Sequence, residues 1–203
     1  QDKERNFTVY QLIKIHNKIF EGKNTNIIEF GTDRGGTLTT ISNFTKPNTN
    51  IFAVDSFGYY ADEIKKNVSK FDSHYLGKYK PFTKKTRFKD FDHKKMTNDL
   101  NEILIKKNSK LETIVGYFPN LEENKFKKIS NIKYSFVHLD FDLYKPTIDC
   151  FTFIKDRLEK NAIILVDDYN FINQEGVKKA VSDLKIDLSK GIQTQSGQLI
   201  LYS

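Results

Sequence analysis

Short, nearly continuous apolar runs rich in Ile, Val and Phe recur along the chain, with stretches of helical periodicity between them. The runs Asn26–Phe30, Ile51–Val54, Glu112–Val115, Tyr134–Leu139 and Ala162–Val166 have the pattern of strands covered on both faces. Phe7–Phe20 places apolar residues at 9, 12, 13, 15, 19 and 20, close to a 3.6-residue period. Pro146–Leu158 opens on a proline that suits a first helical turn. Gln174–Leu184 gathers Val177, Ala180, Val181 and Leu184 on one stripe. Strands alternating with helices predict an α/β fold on a mainly parallel sheet. The tail, 191–203, predicts a last strand around Gln198–Tyr202, with Ile186–Leu188 as its candidate partner.

One region breaks this rhythm. Positions 59–95 are polar and rich in lysine and aromatics, with no consistent period beyond a helix predicted near Asp62–Phe71. The pattern predicts an insertion or lid over the sheet edge, within a single domain spanning 1–203.

Charge sharpens that division. Of the net +7, eleven basic and five acidic residues within 59–95 supply +6, so the other 166 residues carry only +1. The excess therefore belongs to one basic segment, either a solvated lysine-rich surface or a face for an anionic partner, rather than to a protein that is basic throughout. The longest clean apolar run has five residues, Ala162–Val166, far short of the ~18 needed for a membrane span. QDKERNFTVY lacks the apolar core of a signal peptide, and one cysteine, Cys150, excludes an internal disulfide. The expectation is a cytoplasmic enzyme or binding protein with no membrane span.

Candidate chemistry collects where the strands end. In Asn26-Ile-Ile-Glu-Phe-Gly-Thr-Asp-Arg-Gly-Gly36 an apolar strand runs into a glycine-rich turn, a backbone that can bend tightly and approach a ligand. The dinucleotide fingerprint is absent, and Asp33 stands where a pyrophosphate would sit, so a positive or zwitterionic ligand group suits the turn better. Asp55, 24 residues after Gly31, ends the second strand, where a carboxylate can accept hydrogen bonds from ribose hydroxyls. Two further strands end in acids, Tyr134–Asp142 in Asp140 and Asp142 and Ile163–Tyr169 in Asp167 and Asp168, with His138 just before the first pair. In a parallel sheet these carboxylates share one edge, where they repel unless a cation or proton compensates them. All-oxygen ligands point to Mg2+ or a similar hard divalent ion, with Asp140 and Asp167 foremost; helix capping by Asp142 and Asp168 is the competing role. Gly116-Tyr117-Phe118, after the third strand, can border a flat ring or pack in the core.

These segments in order resemble a class I S-adenosylmethionine-dependent methyltransferase, and more narrowly the macrocin and mycinamicin sugar O-methyltransferase family. The resemblance rests on IIEFGTDRGG, FAVDSFG, IVGYFPNL, HLDFDLYKPT and IILVDDYNF, and extends from the first strand to about Leu184. It implies a seven-stranded, Rossmann-like, mostly parallel sheet with helices on both faces and an antiparallel strand near the C-terminus. It also implies that Glu29, Gly31, Asp55 and Ser56 hold the methionine and ribose of S-adenosylmethionine, that Gly116, Tyr117 and Phe118 lie near its adenine, and that Thr32, Gly35 and Asp140 also bind the cofactor. Asp140, Asp167 and Asp168 would bind Mg2+. The acceptor would be a sugar or other small hydroxylated molecule or glycan precursor, and a homodimer is compatible with the reading.

A sulfonium methyl is already electrophilic, so such an enzyme must align an acceptor oxygen and lower its proton affinity. Asp140, Asp142 and His138 are the catalytic candidates, with His74 or His93 as bases from the insertion. The basic insertion keeps a phosphorylated, phosphoramidate or nucleotide-linked acceptor in view. From another class, an RNA-binding protein or nucleic-acid methyltransferase is the alternative, opposed by the acidic edge and the absence of an RNP-like motif.

Overall fold

The structure is a computed structural model and describes residues 2–72, 87–171 and 175–203. Among these, helix α1 (Asp2–Ile19) leads into β1 (Thr25–Phe30), α2 (Gly36–Phe44), β2 (Thr49–Asp55) and α3 (Ala61–Asn67). Then follow α4 (His93–Leu104), β3 (Lys110–Val115), α5 (Glu123–Ser130), β4 (Tyr134–Leu139), α6 (Tyr144–Ile154) and β5 (Leu158–Val166). The chain ends in α7 (Glu175–Asp183), β6 (Ile192–Gln193) and β7 (Leu199–Tyr202). The seven strands form one sheet in the order β3-β2-β1-β4-β5-β7-β6. Strands β1 to β5 run parallel, while β7 is antiparallel to both β5 and β6. This is the mainly parallel α/β sheet that the patterning predicts and the Rossmann-like architecture that the resemblance implies.

Alternation along each strand divides the apolar runs between two cores. Ile28, Phe30, Val137, Leu139, Ile164 and Val166 face Ile129 of α5, Cys150, Phe151, Phe153 and Ile154 of α6, and Val177 and Val181 of α7. Ile27, Ile51, Ala53, Phe136, Ile163 and Leu165 face Val9, Leu12 and Ile13 of α1, Leu38 and Ile41 of α2, and Leu100 and Leu104 of α4. Both faces being covered is why the strands read as continuous apolar runs. All five parallel strands therefore end at one edge, and the turns beyond them carry the acids.

The local differences from the sequence reading have identifiable causes. Leu158 opens β5 rather than closing a helix, because α6 stops at Ile154 and the chain turns through Arg157, whose side chain donates to the carbonyls of Ser130 and Phe153. The helix read over Asp62–Phe71 covers Ala61–Asn67. The last strand pairs with β5 and with Ile192–Gln193, not with Ile186–Leu188, since residues 194–198 form a tight turn closed by Thr194 and Gln198. The irregular reading also overran a real helix. Asp92 caps α4 by accepting the amides of Lys94 and Lys95, and Met96, Leu100, Ile103 and Leu104 then follow helical spacing. His74 and Lys78, Lys80, Lys84 and Lys85 of the basic insertion lie outside the described residues.

Candidate active site

The tips of β1 and β4 are drawn together by backbone. The Asp140 amide donates to the Phe30 carbonyl at 2.9 Å and the Gly31 amide to Val54 at 2.9 Å. Gly31 has φ +82°, and a Cβ there would overlap the Asp140 carbonyl oxygen. Its glycine thus serves the approach of two strand ends. Beyond it, Asp33 adopts φ +48° and Gly35 +83° before α2 starts. Asp55 anchors this turn: its carboxylate accepts the amide of Asp33 at 2.7 Å and that of Phe57 at 2.6 Å. Burial pushes its pKa up to about 6, with those two amides opposing the shift and the charges of Asp33 and Glu29 adding to it. The Asp33 carboxylate is held by the Nε and Nη2 of Arg87, at 2.6 Å from Nε. Ser56 follows Asp55, and Phe57 stacks on His93 at 5.1 Å beside Phe88 and Phe91, tying the β2 tip to the start of α4.

Glu29 and His138 are partners across β1 and β4, and the Nδ1 of His138 lies 3.0 Å from a Glu29 carboxylate oxygen, both side chains fully buried. The structure therefore turns His138 towards Glu29, and strand β4 ends at Leu139, before the acids that follow it.

Those acids meet their counterparts from β5. Asp140, Asp142 and Asp168 each offer one oxygen, all within 4.8 Å of one another. Asp142 and Asp168 reach this arrangement from left-handed backbone, φ +59° and +53°, which costs little for aspartate but is uncommon outside functional turns. Asp72 accepts the Tyr144 amide at 2.9 Å at the head of α6, so the acid after β4 is not needed as that helix's cap. Asp167 points elsewhere. One of its oxygens takes Arg5 Nη1 at 2.5 Å and the other takes Gln198 Nε2 at 2.7 Å. Arg5 Nη2 also binds Asp168 at 2.6 Å.

Burial, and then the charges of Asp167, Asp142 and Asp168, holds Asp140 well above the usual carboxylate range. Burial and a hydrogen bond with Asp142 push Asp168 up to about 9, although Arg5 pulls the other way. Asp140 and Asp168 thus hold their protons more tightly than free carboxylic acids, the condition of buried acids crowded together.

At the β3 tip, Gly116 donates its amide to Asp55 and leaves room for Leu121. Phe118 packs in the core, its ring 4.8 Å from Phe30 and 5.3 Å from Phe153. Tyr117 is buried, and its hydroxyl has no partner among the described residues.

Four residues central to this edge escape sequence reasoning: Arg5, Asp72, Arg87 and Gln198. Arg5 meets Asp167 across 162 positions and Arg87 meets Asp33 across 54, separations at which no spacing rule speaks.

The site suits a polar ligand. Glu29 Oε2 and Thr32 Oγ1, at the β1 tip, are buried without a hydrogen-bond partner among the described residues. Each such atom costs about 1–3 kcal/mol unless something supplies its bond. The acid trio suits a hard cation, since three carboxylate oxygens within 4.8 Å of one another can share one ion.

No protein-family model matches the chain, and no curated protein matches its sequence. Solved structures match its fold. The O-methyltransferase NovP aligns over 98% of this chain and 78% of its own, at 16% identity and a TM-score of 0.66. The calicheamicin methyltransferase CalS11 covers 97% and 79%, at 17% identity and 0.64. The O-methyltransferase TomG from Streptomyces achromogenes, solved with S-adenosylmethionine, covers 98% and 80%, at 12% identity and 0.57. The chain thus has the class I methyltransferase fold. Among the described residues no helix is long and apolar enough to cross a membrane.

Proposed function

We propose that this protein transfers a methyl group from S-adenosylmethionine to a hydroxyl of a sugar or other small hydroxylated acceptor, with a divalent cation, Mg2+ or similar, assisting. The observation that carries this reading is the carboxyl edge of the sheet. There a glycine turn with unpartnered polar atoms at β1 stands beside three mutually facing carboxylates from β4 and β5. When bound, the cofactor supplies an electrophilic methyl, and the cation lowers the proton affinity of the acceptor hydroxyl.

The residues at the edge divide this work. Glu29, Thr32, Asp55 and the backbone of the Gly31–Gly35 turn would bind the methionine and ribose portions. Asp140, Asp142 and Asp168 would hold the cation and orient the acceptor beside it. Asp142, half-buried and on the turn after β4, would accept the hydroxyl proton, because His138 is committed to Glu29. The acceptor belongs to glycan, capsule or natural-product biosynthesis in this reading. CalS11, described as a TDP-rhamnose 3'-O-methyltransferase, acts on a nucleotide-linked sugar. The +6 excess within 59–95 favours an anionic acceptor of that kind, phosphoramidate precursors included, in this cytoplasmic reading.

Calorimetric titration with S-adenosylmethionine, with and without Mg2+, tests the proposal. Absence of binding at millimolar cofactor sinks it, and full turnover in EDTA removes the cation from it. Binding of RNA with a steep dependence on salt would favour a nucleic-acid substrate instead.

A further inference from the structure

Arg5 sits where the N-terminal helix meets the acid cluster. Before Val9, helix α1 buries no apolar side chain among the described residues, and Phe7 is 61% exposed. Arg5 ties these first turns to the sheet edge through its two ion pairs. The Arg5 side chain is 19% exposed, forked between Asp167 and Asp168 at 2.5 and 2.6 Å, and its guanidinium lies 4.9 Å from the Phe171 ring.

Asp168 is the single carboxylate that belongs both to this fork and to the Asp140–Asp142–Asp168 trio. Asp167 does not bridge the two, since Gln198 takes its second oxygen. We propose that Arg5 is a tethered counter-ion that competes with a divalent cation for Asp168, so that cation affinity and the docking of α1's first turns oppose each other. This inference rests on the reading that the trio holds the cation.

The physical case is electrostatic. A guanidinium and a divalent ion on one carboxylate lie roughly 5 Å apart, and even full water screening leaves a repulsion worth about tenfold in affinity. In the absence of the cation, the same guanidinium sets positive charge against Asp168 at the edge of the trio. Arginine suits the role because its planar fork presents separate N–H donors to two carboxylates at once.

The test is Mg2+ titration calorimetry on the wild-type protein and on Arg5→Met, Arg5→Lys and Asp140→Asn, with melting curves in EDTA and in saturating Mg2+. Arg5→Met should bind Mg2+ at least tenfold more tightly than wild type, and Arg5→Lys within about threefold of it, because the charge remains. In EDTA, Arg5→Met should melt below wild type, and Mg2+ should close that gap, which a merely structural contact would not allow. Unchanged or weaker Mg2+ binding by Arg5→Met overturns the inference, as does a melting deficit that Mg2+ leaves intact. If Mg2+ binds wild type but not Asp140→Asn and Arg5→Met changes nothing, only this inference falls. If Mg2+ binds neither wild type nor Arg5→Met, the cation reading falls with it.

Discussion

At the tips of β1 and β2 the acids are engaged by the protein itself. Asp55 takes two backbone amides, Asp33 takes Arg87, and Glu29 takes His138 through one oxygen. At the tips of β4 and β5 three carboxylates face one another, and among the described cations only Arg5 pairs with any of them, reaching Asp168 alone. One strand topology thus carries two electrostatic designs. Where amides and a cation satisfy the acids, they shape backbone, and replacing them should cost stability. Where acids are crowded against one another, they are poised to bind, and replacing them should cost function while relieving mutual repulsion.

The sharpest way to break this comparison is one substitution on each side. Asp140→Ala should lower methyl transfer by a thousandfold or more, leave S-adenosylmethionine affinity within about threefold, and raise the melting temperature of the metal-free protein. Asp55→Ala should do the reverse in stability. It strands the amides of Asp33 and Phe57, for a loss of about 2 kcal/mol, and weakens cofactor binding. Steady-state kinetics, cofactor calorimetry and urea melts measure all of these. A stabilised Asp55→Ala or a destabilised Asp140→Ala would erase the distinction.

A glycine series probes the seam between the two halves. Gly31→Ala would drive a methyl into the Asp140 carbonyl from a left-handed backbone, and only separation of β1 from β4 relieves that. The expected loss exceeds about 3 kcal/mol. Gly35→Ala meets the Met96 thioether, a flexible side chain, and should cost less. Gly22→Ala, with nothing within 4 Å and φ +72°, should cost only about 1 kcal/mol. Urea denaturation ranks the three, and equal losses would mean that backbone strain, not the close approach of the strand ends, makes Gly31 necessary.

The halves also differ in pH dependence. Asp55, raised to about 6, and Asp168, raised to about 9, both bind a proton more tightly folded than unfolded. Each therefore lowers stability as pH rises from its unfolded value towards its folded one. Asp55 has finished by about pH 7.5. His16, lowered to about 4 by burial, destabilises only as pH falls below its unfolded value near 6.5. Between about pH 7.5 and 9 the slope belongs to the β4–β5 acids. The metal-free protein should lose about 2 kcal/mol across that window. Asp168→Asn or saturating Mg2+ should flatten the curve, and a flat wild-type curve in EDTA would show that the cluster is adequately compensated.

How much of this was legible follows the same division. The five parallel strands could be read because burial on both faces leaves continuous apolar runs, and their terminal acids could be read because position on a strand fixes the edge they reach. The helix at His93–Leu104 was legible too, from Asp92 and the Met96–Leu100–Leu104 spacing, but the basic stretch before it hid its start. What no pattern announced was compensation. Asp140, Asp142, Asp167 and Asp168 look alike as strand-end acids, yet Arg5 and Gln198 occupy Asp167 and leave the other three facing one another. His138 stands two residues before Asp140, but Glu29 turns it away. Such choices depend on long-range partners, which a linear sequence does not rank.

The smallest expected effect sharpens the claim about the β1–β2 half. Arg87 and Asp33 pair through two donors, but their side chains are 43% and 36% exposed, and ion pairs at that exposure are worth about 0–1 kcal/mol. The Asp33 amide is meanwhile held by Asp55 independently of the pair. Arg87→Met should therefore cost less than about 1 kcal/mol, a loss that shrinks further in 1 M salt as screening shortens to about 3 Å. Cofactor affinity should stay within about threefold of wild type. A cost above about 2 kcal/mol, insensitive to salt, would mean that the ion pair and not the Asp55 carboxylate holds the turn in place.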